Sequence, residues 1–448
     1  MKLPAWVNII TANSLSIVGM LLGRCNWAEP AIRCLYKALA IDSKCLTAHL
    51  QLGKIFVKIR RYKDAAKIYK QAIACQPTLT AVYKLGLSFS RERSLNDEFY
   101  QAVLNVMETK DIISMIKHVA NAPSIYQPSK LWLYFMIFNT FQLETGGIGN
   151  FKRTVNQNYF NWTADADVNA QFQALKNELN WTDDDLTQAE RAAHFDSTVK
   201  PKEFTKRKWR IYVQFLCMLW EYTSKKDGLN LLKLLREPML GNPLAIEYKH
   251  CIVTQDICNS VMEINTIMKF VNHDPATKMK VVELGAGHGR VANVLLQAFP
   301  DVQVVIVDIP PALYVSQWYL SNLFPRRKIF KFKVFSNYRE VQREFEEASI
   351  AFLSPAQIEY VPDRMFDLFI NISSLHEMTH EQIEMWFGQI DRVCNKWFYT
   401  KQYIESKNGF DGIVVRQQDY PVRPHWQELL SRRSPIYPDL FESIYKVH

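Results

Sequence analysis

The 448-residue sequence predicts an α/β protein whose doubly wound, mostly parallel sheet is preceded by an all-α region of helix pairs. Three observations carry this. Small residues recur at a period near 34 through the first 110 positions. The next stretch, to about residue 264, is poor in glycine and reads as mostly helical. From Met279 onward, short apolar strands alternate with amphipathic helices around one glycine-rich turn. A chain of this length exceeds what one hydrophobic core serves, and the expected boundaries are 1–110, 111–264 and 265–448.

The first region is read from its repeat. Gly19, Gly53 and Gly86 are 34 and 33 residues apart; Ala31 and Ala65, like Ala38 and Ala72, are 34 apart. Small residues at that period mark helix pairs that cross closely and stack. The spacing Gly53, Ala65, Ala72, Pro77 is similar to a tetratricopeptide repeat, with two good units and a degraded third. Such repeats expose a concave face for a protein partner or for self-association; a structural cap on the next domain is the competing reading.

Between residues 111 and 280 the pattern is helical, as in RKWRIYVQFLCMLWEY (Arg207–Tyr222). Two loops interrupt it: GGIGNFKRTVNQNYFNW (Gly146–Trp162) and GNPLAIEYKHCIVTQDICNS (Gly241–Ser260). Both are dense in amides and aromatics, which suit sugar hydroxyls and ring faces but are common without any ligand.

The sheet begins with KVVEL, followed by the turn GAGHG and the helix RVANVLLQAF, closed by Pro300. VQVVIVD (Val302–Asp308) is a second apolar strand ending in an acid, and ALYVSQWYLSNLF a second helix after Pro310 and Pro311. Continuous apolar strands alternating with helices indicate a parallel sheet covered on both faces, with ligands at the carboxyl ends of its strands. FDLFINISS (Phe366–Ser374) is a further strand, carrying Asn371 where apolar residues would continue. Thr379 and Gln382 form a capping box, so a helix starts near His380. Residues 373–378, with His376 and Glu377, then form the loop at the strand's carboxyl end. KWFYTKQY (Lys396–Tyr403) is the next strand and brings Lys401 and Gln402 to the same rim.

Composition excludes several classes. The net charge of +9 is spread thinly rather than gathered into a basic stripe with aromatics, so nucleic-acid binding is not expected. None of the eight cysteines has CxxC spacing or a suitably spaced histidine, so zinc is not expected; Asp256, Glu377 and His380 could in principle ligate another divalent metal, but nothing in their spacing argues for one. The longest apolar run, Leu131–Phe138, is too short to span a bilayer; with no credible export signal, the expectation is a cytoplasmic protein with reduced thiols.

The glycine turn decides the chemistry. A dinucleotide fingerprint needs a third glycine where this chain has Arg290. Instead the order Glu283-x-Gly285-x-Gly287-x-Gly289, with Asp308 at the next strand's tip, resembles the first motif of class I S-adenosylmethionine-dependent methyltransferases. In that reading the glycines admit the ligand to the backbone, Glu283 meets its cationic amino-acid end, and Asp308 takes both ribose hydroxyls.

A more specific likeness rests on NFKRTVNQNYFNW, TQDICNS, VVELGAGHGR, VDIPPALYVSQWYL, FDLFINISSLHEM and FYTKQ in this order. Together they resemble the bacterial sugar O-methyltransferase family over roughly residues 120–448. The resemblance implies methylation of a sugar hydroxyl in a surface polysaccharide or related glycan, with S-adenosylmethionine as cofactor. It implies Arg153, Asn156, Gln157 and Asn158 as a lid over the saccharide acceptor. Gln255 and Asp256 would contact cofactor or sugar, Asn371 the cofactor, and Lys401 and Gln402 the acceptor. Three groups stand as the general base: His376, Glu377 and His380. The family pattern varies at His376 and keeps the following Glu and Met, which favours Glu377. Two alternatives remain open: a non-sugar acceptor, and a non-catalytic adaptor that keeps the fold as a scaffold.

Overall fold

The computed structural model describes residues 5–75, 109–155, 168–194, 205–272 and 277–448. The chain forms two compact units. One comprises residues 1–120, 128–141 and 409–411, the other 121–127, 142–408 and 412–448.

In the first unit, helices Ala5–Arg24, Ala28–Ile41, Leu46–Lys58 and Tyr62–Cys75 pack in sequence. The 34-residue period has a steric cause. A side-chain carbon at Gly19 would fall 2.6 Å from Leu35, and one at Gly53 would overlap the Tyr69 ring. Each glycine thus admits a residue 16 positions later. Ala31, Ala38, Ala65 and Ala72 are fully buried, because only small residues let helix backbones approach this closely. Pro77, which closes the second expected unit, and the third unit with Gly86 lie outside the described residues. Among those described, the stretch Val7–Arg24 is long and apolar enough to cross a bilayer by length and composition, unlike the shorter run Leu131–Phe138. Ile10, Ile17 and Leu21 on that helix are exposed.

The second unit is organised by one eight-stranded sheet. Two small hairpins stand apart from it: β1 (Ile246–Tyr248) with β2 (Cys251–Val253), and β9 (Glu405–Asn408) with β10 (Ile413–Arg416). The sheet strands are β3 (Met279–Leu284), β4 (Val302–Val307), β5 (Ile329–Phe330), β6 (Ile350–Leu353), β7 (Phe366–Ile372), β8 (Cys394–Tyr403), β11 (Gln427–Arg433) and β12 (Leu440–Lys446). Their order is β11-β12-β8-β7-β3-β4-β6-β5. Strands β5 to β8, with β3 and β4, run parallel. β12 is antiparallel to both β8 and β11.

Burial on both faces explains the apolar stretches of β3 and β4: Val281, Val282 and Val304–Val307 are solvent-free. Two polar residues are buried with them, Glu283 in β3 and Gln303 in β4; the Gln303 amide donates to Phe345 O and Ala348 O at 2.7 and 2.8 Å and so carries no unpaired donor into the core. From β3 the chain builds outward to β4, β5 and β6, then returns to lay β7 and β8 on the other side. The order therefore reverses at β3, and a crevice opens at its carboxyl end.

The helical stretch expected as a region of its own is divided by this architecture, and residues 142–264 belong with the sheet. Helix Lys206–Lys226 buries Trp209, Tyr212, Phe215, Leu216 and Leu219. It packs on helix Gln255–Met268, which packs in turn on helix Arg290–Ala298, the one that follows the glycine turn.

Candidate active site

At the reversal point β3 runs directly into the glycine turn. Gly285, Gly287 and Gly289 all take positive φ, at 69°, 62° and 85°, a region that L side chains disfavour. Space adds a second constraint, since a carbon on Gly285 would collide with Ser374 and one on Gly289 would lie 2.9 Å from Leu320. The turn is pinned by Gly285 N to Val307 O and Gly289 N to Ala286 O, both 2.9 Å.

Two acids flank it. Glu283 is buried, accepts from the amide of Ala292 in the helix's first turn, and leaves Oε2 without a partner. Burial pushes its carboxyl up to about 8, against the opposing pull of Arg290. Asp308 follows β4; its two oxygens accept from Gly287 N at 2.9 Å and Ile309 N at 2.7 Å. Burial raises it to about 7, and those two amide bonds restrain the rise. Each Asp308 oxygen keeps a second lone pair for a ligand hydroxyl.

A buried polar chain extends from these acids. Arg290 is bidentate to Glu263, at 2.5 and 3.2 Å, and Lys401 Nζ lies 3.0 Å from the same carboxylate. Lys401 also sits over the Tyr437 ring at 5.0 Å. The Tyr437 hydroxyl donates to Asn259 at 2.6 Å and interacts with Gln255, whose Oε1 is buried without a partner. Lys401, expected at an open rim contacting acceptor, is therefore corrected to a buried ion-pair partner.

Asn371 and Gln402 are corrected in the same way. Asn371 donates to Leu284 O (2.9 Å) and Ser374 Oγ (2.6 Å) and accepts from Gln402 and Leu375 N. Gln402 donates to Asn371 and Thr400 and accepts from His376 Nδ1 at 2.8 Å. With their polar atoms engaged, both tie β7, β8 and the following turn together instead of facing a ligand.

That turn presents the candidate bases. His376 is buried, held through Nδ1 by Gln402 and edge-on to Tyr403. Burial lowers it to about 4, with the Gln402 bond opposing, so it stays neutral and weakly basic. Glu377 Oε1 lies 3.9 Å from His376 Nε2, with 24% of its side chain exposed. His380 opens the next helix, between the capping residues Thr379 and Gln382, and is exposed. Ser373, just before the turn, has φ 54° and a buried, unpartnered hydroxyl.

Asp256 takes part in a second buried cluster. Its Oδ2 lies 3.0 Å from Lys152 Nζ and 3.3 Å from Nε2 of His288, the histidine of the glycine turn. Lys152 also reaches Glu237 at 3.3 Å and sits over the Tyr319 ring. Burial works against every charge here. Lys152 and His288 outweigh it at Asp256 and hold that acid ionised, while Glu237 is pushed up. Asp256 is thus a brace for the turn, not the open cofactor or sugar contact expected. Arg153 is corrected too: Nε donates to Asn242 O at 2.9 Å and a terminal nitrogen to Pro243 O at 3.0 Å, fastening the turn after Gly241. Asn156, Gln157 and Asn158 lie outside the described residues.

Sequence reasoning missed Lys152, Glu237, Glu263 and His288. Two of them were in plain view, Lys152 inside NFKRT and His288 inside GAGHG, but Lys152 meets Glu237 and Asp256 across 85 and 104 positions and His288 meets Asp256 from another element, so no local spacing joins them. It also missed a cavity of about 440 Å³ lined by Phe387, Thr400, Ile404, Tyr420, Glu428 and Phe441, among others. The Tyr420 hydroxyl is buried without a partner, and the charge of Glu377 reaches that side chain.

No family model matches the chain, and no curated protein does. Several solved structures resemble it distantly. A methyltransferase from Aquifex aeolicus described as SAM-dependent shares 10% identity over 51% of this chain and 98% of its own, at a TM-score of 0.27. The protein PH0226 of Pyrococcus horikoshii shares 13% over 43% and 92%, at 0.31. Phosphoethanolamine N-methyltransferase 1 of Haemonchus contortus, bound to phosphoethanolamine and S-adenosylhomocysteine, shares 14% over 51% and 47%, at 0.26. Likeness at this level reaches neither substrate nor chemistry, which rest on the chain's own topology and residues.

Proposed function

We propose that the protein is an S-adenosylmethionine-dependent O-methyltransferase whose acceptor is a sugar hydroxyl of a surface polysaccharide or related glycan. The observation that carries the donor is the unpartnered, buried oxygen of Glu283 beside a glycine turn at the point where the strand order reverses. A buried carboxyl with an open lone pair favours a cation, and the donor's amino group supplies one. Asp308, one strand away, retains lone pairs for two vicinal hydroxyls. The backbone of Gly285, Gly287 and Gly289 allows close approach, and Gln255 Oε1 is a further open acceptor. These residues fit the donor, and the missing third glycine weighs against a dinucleotide.

When bound, the donor supplies an electrophilic methyl carbon on a sulfonium whose leaving group is a neutral thioether. The chain's part is to hold the acceptor oxygen in line with that carbon and to exclude water. Glu377 takes the hydroxyl proton as the oxygen–carbon bond forms, a contribution of about 10²–10⁴ in rate. His376 stays neutral, with Nδ1–H held by Gln402, and its unprotonated Nε2 stands 3.9 Å from Glu377 as an acceptor rather than a cation. The exposed His380 is the weaker candidate base.

The cavity lined by Tyr420, a side chain that the charge of Glu377 reaches, supports a glycan acceptor. It offers aromatic faces in Phe387 and Phe441, hydroxyls in Thr400 and Tyr420, and a carboxylate in Glu428; stacking faces interleaved with hydrogen-bonding groups suit a polyhydroxylated ring. The helix pairs of the first unit would serve a protein partner or self-association. Titration calorimetry with S-adenosylhomocysteine against NADH tests the donor. Labelled S-adenosylmethionine with a panel of nucleotide sugars and polysaccharide, read by mass spectrometry, tests the acceptor. Binding of NADH alone would refute the first reading, and methylation confined to non-sugar acceptors the second.

A further inference from the structure

A cluster of metal-ligating side chains lies outside the site described above. Helix His380–Val393 carries Asp391 in its last turn, where the helix dipole already places negative charge and an acid is disfavoured. Three groups converge on this acid. His425 Nε2 lies 2.8 Å from Asp391 Oδ1, and Trp426 Nε1 donates to the same oxygen at 2.7 Å. His448 Nε2 lies 2.9 Å from the Asp391 carbonyl and 4.0 Å from Oδ1. The two imidazoles stack at 5.7 Å and 22°, and one ligand atom from each of the three residues lies within 4.8 Å of the others. The neighbouring cation does not serve Asp391: Arg392 is engaged by Asp363, Gln389, Val361 O and Ile358 O.

We propose that Asp391, His425 and His448 form a binding site for a divalent transition-metal ion, with Zn²⁺ the best match to two imidazoles and one carboxylate. Metal–nitrogen and metal–oxygen bonds of about 2.0–2.2 Å in a tetrahedron set ligand atoms roughly 3.3–3.5 Å apart. The separations of His425 Nε2 and His448 Nε2 from Asp391 Oδ1, 2.8 and 4.0 Å, straddle that span. One contact must widen and the other shorten by about half an ångström, which partly exposed side chains on a loop and near the last strand permit. Trp426 Nε1 fixes Oδ1 from behind, as groups that hydrogen-bond to metal ligands do. Water completes the coordination on the open side. The ion would clasp three segments, namely the end of the helix, the 423–426 loop and residue 448. Phe387 of the same helix stacks on Trp426 at 5.6 Å and on Tyr420 at 6.1 Å, so the clasp would stiffen one wall of the cavity.

The test uses the full chain, stripped with chelator and dialysed against Zn²⁺, beside His425→Ala, His448→Ala and Trp426→Phe, with circular dichroism to confirm that each variant folds. The eight cysteines, free where described, can also take zinc, so the readout is the difference between proteins. Wild type should bind one equivalent more tightly than either histidine variant by at least about 10–100-fold, and Trp426→Phe should lose about tenfold. Co²⁺ at that equivalent should give a visible ligand-field band without thiolate charge transfer. Equal binding by wild type and both histidine variants, or a thiolate band at that equivalent, would overturn the proposal. So would a pH-dependent Asp391–histidine contact that ignores metal, which would leave a titrating histidine pair only.

Discussion

Replacing Glu283 by Gln separates the cost of the buried acid from its use. An unfolded glutamate ionises near 4.5, whereas burial raises this one to about 8. The folded protein therefore holds a proton that the unfolded chain releases. Stability is greatest below pH 4.5 and falls as pH rises toward 8, after which the loss levels off. With these two values the penalty is under about 1 kcal/mol at pH 5, about 3 kcal/mol at pH 7 and approaches about 5 kcal/mol above pH 8. Gln keeps an oxygen for the Ala292 amide and cannot ionise, so it removes the penalty. Glu283→Gln should leave the melting midpoint nearly unchanged at pH 5 and raise it by several degrees at pH 8, at roughly 1–2 °C per kcal/mol for a unit of this size. The same variant should lose S-adenosylhomocysteine affinity, because an amide offers the ammonium no charge. Parallel melts from pH 5 to 8.5 and calorimetry on both proteins read these effects. A variant no more stable than wild type at pH 8 would show that Glu283 is ionised without its ligand. Undiminished affinity would remove it from the donor site.

Three further outcomes are expected. Asp308→Ala should weaken S-adenosylhomocysteine about 10–150-fold by calorimetry, the equivalent of one charge-assisted hydrogen bond or more; an unchanged affinity would place the ribose elsewhere. Glu377→Gln should lower kcat by about 10²–10⁴ while cofactor affinity stays within about twofold; a similar loss on mutating His380 instead would move the base to that residue. Lys152→Met leaves Glu237 and Asp256 facing each other without their cation, and urea unfolding should show a loss of about 3–5 kcal/mol; a loss below about 1 kcal/mol would mean that Glu237 takes up the charge by staying protonated.

What the sequence made legible were features set by neighbours in the chain. The strand from Met279, the turn's glycines, the Thr379–Gln382 cap and the helix behind it follow from period, φ and hydrogen bonds within a few residues, and the structure places them within a residue or two of expectation. The 34-residue period was legible because Gly19 and Gly53 meet partners at the same offset. The roles of polar residues were not. Lys401, Gln402, Asn371, Asp256 and Arg153 are the amide, acid and basic types a ligand site needs, and equally the types that satisfy buried partners. Only tertiary structure tells the two apart, because Lys401 meets Glu263 across 138 positions and Lys152 meets Asp256 across 104. The antiparallel β12 inserted between β8 and β11 was also invisible, since its seven residues carry no mark of direction.

Gly285 packs against Ser374, and Asn371 ties Ser374 to the end of β3, so buried contacts join the glycine turn to the segment bearing Glu377. The cavity, by contrast, draws much of its lining from residues 417–445, which come later in the chain. If the cavity takes the acceptor as proposed, descendants of this chain could exchange one acceptor for another by altering that late stretch alone, leaving the glycine turn and its acids untouched.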